Sequence, residues 1–189
     1  MMFSQVVRSL SAFENVTIFP YFTRVKRVAV GILLRKGLVL ACQRHADAKY
    51  PLKWEFPGGK VDPGEAHEEA LVRELFEELS IHATVDTEFF RQRWEYPDSG
   101  SDRNANGVFD VTYFLVRRFE GEPVNNAFEQ ILWVSPNELQ SMNILEGNRQ
   151  AVDLLVKYVH GQLGPSPSGH GPSTPTESSQ IPNGPGQAA

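Results

Sequence analysis

The chain has 189 residues, 41% of them hydrophobic and 22% charged, which is enough for one domain with a core of its own. Twenty-three acidic residues against 18 basic ones leave a net charge of −5, which weighs against a protein that grips nucleic-acid backbones. One cysteine, Cys42, excludes an internal disulfide framework and a multi-cysteine zinc site, and no apolar run approaches the ~20 residues of a membrane span. The apolar N-terminal stretch is broken by Arg8, Ser9, Ser11 and Glu14, unlike a secretory signal, so the expectation is a soluble, cytoplasmic protein with no membrane partner.

Residues 1–24 read as an N-terminal arm and residues 25–160 as the folded domain. Val25 to Leu34 (VKRVAVGILL) predicts a strand, and Gly37 to Gln43 its hairpin partner across Arg35-Lys36-Gly37. Lys53 to Phe56 predicts a short strand that runs into a loop bracketed by Pro57-Gly58-Gly59 and Pro63-Gly64. A helix follows from Glu65 through Ala66 to Leu79. Ala83 to Tyr96 and Val108 to Arg118 each read as one strand, joined by the polar loop Asp98 to Gly107. Ile131 to Val134 is a further strand, and Ser135-Pro136 starts a short helix. Asn148 to His160 closes the domain as an amphipathic helix, with Val152, Leu155, Val156 and Val159 on one stripe. Helices and strands out of strict alternation predict an α+β fold, an α/β/α sandwich on a mixed β-sheet. From Gly161 to Ala189 the chain holds six of its 13 prolines and six of its 15 glycines, a composition that predicts disorder.

The chemistry concentrates in residues 58–81, GGKVDPGEAHEEALVRELFEELSI. At ~100° per residue, Glu74, Glu77 and Glu78 share one helix face, beside an apolar sector of Leu71, Val72, Leu75, Phe76 and Leu79. Clustered carboxylates repel, by a few tenths of a kcal/mol per i,i+4 pair. Arg73 offsets part of this, within reach of Glu77, Glu69 and Glu65. The remaining charge either faces solvent or holds a hard cation, Mg²⁺ or Mn²⁺, which bridges to substrate phosphates.

The spacing Gly59, Glu65, Arg73-Glu74-Leu75, Glu77-Glu78 and Ile81 resembles the Nudix box, with Ser80 where that motif has glycine. Trp54-Glu55-Phe56-Pro57-Gly58-Gly59-Lys60 is similar to the MutT-like branch of the family. The resemblance covers about residues 28–158. It implies the Nudix sandwich fold and attack of water at phosphorus, so that a nucleoside triphosphate yields monophosphate and pyrophosphate. Oxidised purines such as 8-oxo-dGTP are the implied substrate, in nucleotide-pool sanitation and hence DNA repair. Metal is then held by Glu74, Glu77, Glu78 and the Gly58 carbonyl, with Arg73 orienting the glutamates and Gly59 and Glu65 as structural motif positions. The family's additional glutamate falls on Ala127, which leaves Glu129 or a box carboxylate such as Glu77 as general base.

Arg44, Glu55, Phe56, Pro57, Gly58 and Asn148 match substrate-binding positions. Arg44 is open to a second reading as a solvated strand-end residue, Phe56 as core, and Asn148 as the N-cap of the last helix. Ser80 in a left-handed helix cap costs roughly 1 kcal/mol, or the helix ends differently. The loop at 98–107 is longer than in the family, which puts Arg103 in doubt as a phosphate contact. Two other hydrolase readings stand behind the first: removal of pyrophosphate from 5′-triphosphorylated RNA, the one nucleic-acid substrate left open, and hydrolysis of nucleotide sugars or ADP-ribose. A non-catalytic nucleotide-binding module is the reading of a different class. Its expected loss of one of Glu74, Glu77 or Glu78 is not found in the sequence.

Overall fold

A computed structural model describes residues 25–96 and 107–162. The N-terminal arm, residues 97–106 with Arg103, and the proline-rich stretch from residue 163 lie outside the described residues.

Strands β1 (Lys26–Arg35) and β2 (Leu38–Gln43) form the expected hairpin, with Leu34 opposite Val39. β3 (Trp54–Glu55), β4 (Gly58–Lys60), β6 (Thr87–Tyr96), β7 (Gly107–Val116) and β9 (Gln130–Val134) complete a seven-stranded sheet ordered β3-β2-β1-β7-β6. β4 pairs with β1, and β9 with β2. The β1–β7 pairing is parallel and the others antiparallel, so the sheet is mixed.

Period-2 alternation divides the core between the two sheet faces. Ala29, Leu33, Leu40, Phe114 and Val116 pack with Leu71, Leu75 and Leu79 of α1 (His67–Leu79). Val30, Ile32, Val39, Val111, Tyr113 and Leu115 pack with Leu139 of α2 (Pro136–Ser141) and with Val152 and Leu155 of α3 (Arg149–Val159). This is the predicted α/β/α sandwich. Leu71, Leu75 and Leu79 are fully buried, each contributing about 1.5–3 kcal/mol. α1 approaches closely because Gly31 has no side chain: a Cβ there would lie 3.2 Å from Leu71 and 3.4 Å from Leu75. Ser135 caps α2, its hydroxyl accepting from the Glu138 N–H.

Several expectations are corrected. The stretch 83–96 is two strands, β5 (His82–Thr84) and β6, and Arg118 starts a separate strand, β8 (Arg118–Glu120), that pairs only with β5. Asp86 makes the break: its N–H donates to the Leu115 carbonyl at 3.1 Å, and its carboxylate accepts from the Arg117 N–H and the Arg118 guanidinium. Residues 58–60, read as loop, are strand β4. The helix begins at His67 rather than Glu65, with Glu69 accepting from the Ala66 N–H instead of pairing with Arg73. Val72 and Phe76 face outward, Phe76 stacked on His82, because the sheet covers a narrower stripe of α1 than the apolar sector. The last helix begins at Arg149, after a 3₁₀ turn over Glu146–Asn148. Ser80 adopts the left-handed conformation (φ 55°) at the end of α1, its hydroxyl accepting from Asn126. Among the described residues no helix is long and apolar enough to cross a membrane.

Candidate active site

Two glycines let α1 bring its carboxylates against the sheet. At Gly58 the backbone has φ +134°, and a Cβ would run into the carbonyl of Ala29. Its N–H donates to Glu78 Oε2 at 2.9 Å. At Gly59 a Cβ would overlap the Glu74 carboxylate. Arg73 ties the loop to the helix: its guanidinium donates to both Glu65 oxygens at 3.0 Å, to Glu74 at 2.9 Å and to the Lys60 carbonyl, and lies 3.6 Å from Glu77. The box residues Gly59, Glu65, Arg73, Glu74 and Glu77 are thus brought into one network, with Glu78 held separately by Gly58.

The two ends of this network differ in charge. Arg73, together with the Asp62 N–H and the nearby Arg27, holds the Glu65 carboxyl down at about 2. Burial pushes Glu78 up to about 8; the Gly58 N–H partly offsets this, and the charges of Glu74, Glu55 and Glu77 add to it. The Cys42 thiol is raised for the same reasons, burial first and then Glu78 and Glu55. Glu78 is therefore a half-buried carboxyl among like charges, and all the donors are hard oxygens. That donor chemistry suits a hard divalent ion, which Glu74, Glu77, Glu78 and the Gly58 carbonyl could hold. Among the described residues no three such side chains already converge as a finished ligand set. Glu74 is turned to Arg73, and Glu77 is 57% exposed.

Gly58 also lines a cavity of about 460 Å³. Its floor is apolar, with Val28 and Val30 of β1 and Phe109 and Val111 of β7; Tyr50, Trp94 and Tyr96 form an aromatic wall, and Arg44, Lys49 and Lys60 supply positive charge. Arg44 is not a solvated strand end. It forks onto Glu55 at 2.9 Å to each oxygen, and its Nε donates to the Lys49 carbonyl at 2.9 Å. Glu55 is raised by burial, against the pull of Arg44. Phe56 is buried in the core, edge-on to Tyr113, and also lines the cavity. Pro57 is not on the cavity wall; its carbonyl accepts from the Gly31 N–H at 2.9 Å and anchors the loop to β1.

Asn148 is buried on the wall of the cavity with Oδ1 unpaired, and its side chain caps nothing. Asn148 does stand at the N-cap position of α3, so the capping reading holds in position but not in a side-chain bond. The 3₁₀ turn that carries it is held by Tyr113, whose hydroxyl donates to the Gly147 carbonyl at 2.8 Å. Gln92 donates to the same carbonyl, and Lys53 pairs with Glu146 at 2.8 Å. Glu129 stands apart from the box network: its carboxylate contacts His45 Nδ1 at 3.2 Å. Sequence reasoning missed Gln92, Tyr113, Tyr50 and Trp94. Alternation along β6 and β7 was the available signal, since it puts Gln92, Trp94, Val111 and Tyr113 on one face.

A carboxylate-rich helix set beside a cavity by a glycine strand is an arrangement suited to a hydrolase. The family model described as "NUDIX domain" matches residues 25–155, and the chain belongs to the Nudix family. It is 30% identical over 138 residues to an 8-oxo-dGTP diphosphatase of Haemophilus influenzae, covering 72% of this chain and 96% of that one. It is 36% identical over 111 residues to a CTP pyrophosphohydrolase of Escherichia coli, covering 59% and 76%. The solution structure of the E. coli ORF135 protein superposes with a TM-score of 0.63 at 28% identity, covering 73% of this chain and 93% of that one. With all box carboxylates present, the chain is a hydrolase of this family.

Proposed function

We propose that this enzyme hydrolyses a nucleoside triphosphate to its monophosphate and pyrophosphate, with an oxidised purine such as 8-oxo-dGTP as substrate, and so cleans the cytoplasmic nucleotide pool ahead of DNA synthesis. The observation that carries the reading is Asn148: a buried side chain with Oδ1 unpaired, on the wall of a cavity also lined by Gly58, whose N–H bonds Glu78 of the Glu-rich helix. A carboxamide both donates and accepts, which suits an N–H/C=O edge of a purine. Similarity to an 8-oxo-dGTP diphosphatase over nearly that protein's full length supports it.

Bound Mg²⁺ supplies charge neutralisation and a polarised water for attack at phosphorus. The chain supplies the rest. Arg44, Lys49 and Lys60 line the cavity with positive charge for the triphosphate, and Phe56 and Val30 give the base an apolar surface. Arg73 fixes Glu74 and Glu65 so that the carboxylate face keeps its shape. Glu77, more than half exposed, takes the proton from the attacking water at its free carboxylate oxygen. Glu129 is assigned to holding His45.

The test is Mg²⁺-dependent pyrophosphate release from 8-oxo-dGTP, CTP, the other common nucleoside triphosphates, ADP-ribose and 5′-triphosphorylated RNA. The highest kcat/KM is expected for 8-oxo-dGTP. A higher value for CTP, or for the RNA, would replace the oxidised-purine assignment.

A further inference from the structure

Residues 143–148, which supply one wall of the cavity, are fastened from two sides. At one end β3 holds them. The Trp54 N–H donates to the Asn143 carbonyl at 2.9 Å, and the Trp54 carbonyl accepts from the Leu145 N–H at 2.8 Å. Lys53, just before β3, adds bonds to the Asn143 and Glu146 side chains. At the other end β6 and β7 hold them, through Gly147. Leu145, Gly147 and Asn148 are the residues of this strap that line the cavity.

The attachment to β6 and β7 converges on one oxygen. Within the turn, the Asn148 N–H bonds the Leu145 carbonyl at 2.8 Å, and the Arg149 N–H bonds that of Glu146. The Gly147 carbonyl accepts from two side chains of the sheet, the Tyr113 hydroxyl at 2.8 Å and the Gln92 amide. That amide also donates to the Tyr113 oxygen at 3.1 Å, which closes a triangle of bonds. Tyr113 is itself fixed: it is buried, its ring edge-on to Phe56 at 6.3 Å and tilted against Phe90 at 5.8 Å. Gly147 has no space for a side chain, since a Cβ would lie 2.5 Å from the Tyr96 hydroxyl. A buried network in which every member is paired rigidifies what it holds.

We propose that Gln92 and Tyr113 are positioning residues for nucleotide selection, acting through the Gly147 carbonyl to keep the 145–148 wall of the cavity in its binding shape. The inference rests on the proposed reading that a nucleotide base enters this cavity, and it adds what keeps the cavity fitted to one base over another. A wall fixed beforehand needs no ordering when the ligand arrives, whereas a loose one is ordered at the expense of affinity. Loss of either donor therefore weakens binding and blurs the choice of base. The carboxylates of α1 are left as they are, because that helix packs on the other face of the sheet.

Two variants of the full chain test this. Tyr113→Phe removes one oxygen and keeps the ring; Gln92→Glu keeps the shape and sets an acceptor against the carbonyl. Each is compared with the parent by amide hydrogen exchange without ligand, by thermal melt, and by steady-state hydrolysis of 8-oxo-dGTP, dGTP and CTP. Exchange in peptides covering 143–149 is expected to rise about tenfold or more in both variants, with that of α1 unchanged. KM for the nucleotide that the parent prefers should rise about fivefold or more with kcat held within about twofold, and the preference should narrow. A lower melting temperature with KM and preference unchanged would make the pair merely structural and overturn the proposal. Unchanged exchange at 143–149, or a fall in kcat as large as the rise in KM, would overturn it too. If the parent prefers CTP and both variants blur that preference, the positioning role stands and the oxidised-purine assignment falls. A parent that hydrolyses none of the three overturns both.

Discussion

At the scale of single residues, the carboxylates differ by what already touches them. Glu65 and Glu74 are occupied by Arg73, Glu78 by the Gly58 N–H, and Glu129 by His45. Glu77 keeps the most open oxygens, and a base must have a lone pair free for the incoming proton. Glu77→Gln is therefore expected to lower kcat about 10²–10⁴-fold, the range for loss of a general base or metal ligand, and Glu129→Gln less than tenfold. Steady-state pyrophosphate release on both variants decides it; a larger loss at Glu129 would move the base there. Asn148→Ala should act on choice rather than chemistry. Losing one buried polar partner of the base costs about 1–3 kcal/mol, so preference for 8-oxo-dGTP over dGTP should fall by about five- to 150-fold. Equal losses on the two substrates would argue for a purely structural role.

At the scale of elements, the contact between β4 and α1 is what makes the box a site. Gly59 faces the Glu74 carboxylate with no room for a methyl group, so Gly59→Ala must push that side chain off Arg73. The variant is expected to keep the sandwich, with a small stability change, and to lose more than about tenfold in kcat/KM through misplacement of the carboxylates. A melt and a kinetic assay on the same preparation separate the two effects. The box itself was legible in the sequence because Arg73, Glu74, Glu77 and Glu78 follow helix spacing, and because Gly59 and Glu65 ahead of that helix complete the resemblance to the Nudix box. The strands around it were less so. Nothing in the run from Ala83 to Tyr96 marks a break, since neither glycine nor proline interrupts it. The break comes from Asp86 reaching Leu115 and Arg117, far along the chain, and such contacts leave no local pattern. Val72 and Phe76 went astray for a related reason: periodicity says which residues share a face, not how wide a stripe the sheet covers. Asn148 was ambiguous because its neighbours in sequence suit a helix cap equally well. In the structure it stands at the N-cap position without a side-chain capping bond, buried beside the cavity on a turn held by Tyr113 from β7, a placement no local pattern gives.

At the scale of the whole molecule, the raised carboxyl of Glu78 couples folding, pH and metal. Its ordinary value is 4.5, and in the metal-free fold it stands at about 8. The fold therefore favours the protonated form. That contribution is fully present below 4.5 and is lost as pH rises through 8, so metal-free stability should decline across this window. At about 1.4 kcal/mol per unit the loss is on the order of a few kcal/mol. Glu65 adds no slope there: held at about 2, it contributes stability above its ordinary 4.5 that is lost only as pH falls toward 2. A divalent ion held there would take the ionised carboxylate, so at pH 7 its binding is expected to expel a proton from Glu78. Melting temperature without metal is expected to drop from pH 5 to pH 8, and the upward shift given by Mg²⁺ to grow over the same range. Glu78→Gln should flatten the first dependence, abolish the second and remove most turnover. Titrating Mg²⁺ calorimetrically at pH 7, in buffers of different ionisation enthalpy, should show close to one proton released per site. No dependence on the buffer would mean that Glu78 is already ionised without metal, and the carboxylate face would then owe its charge balance to Arg73 alone.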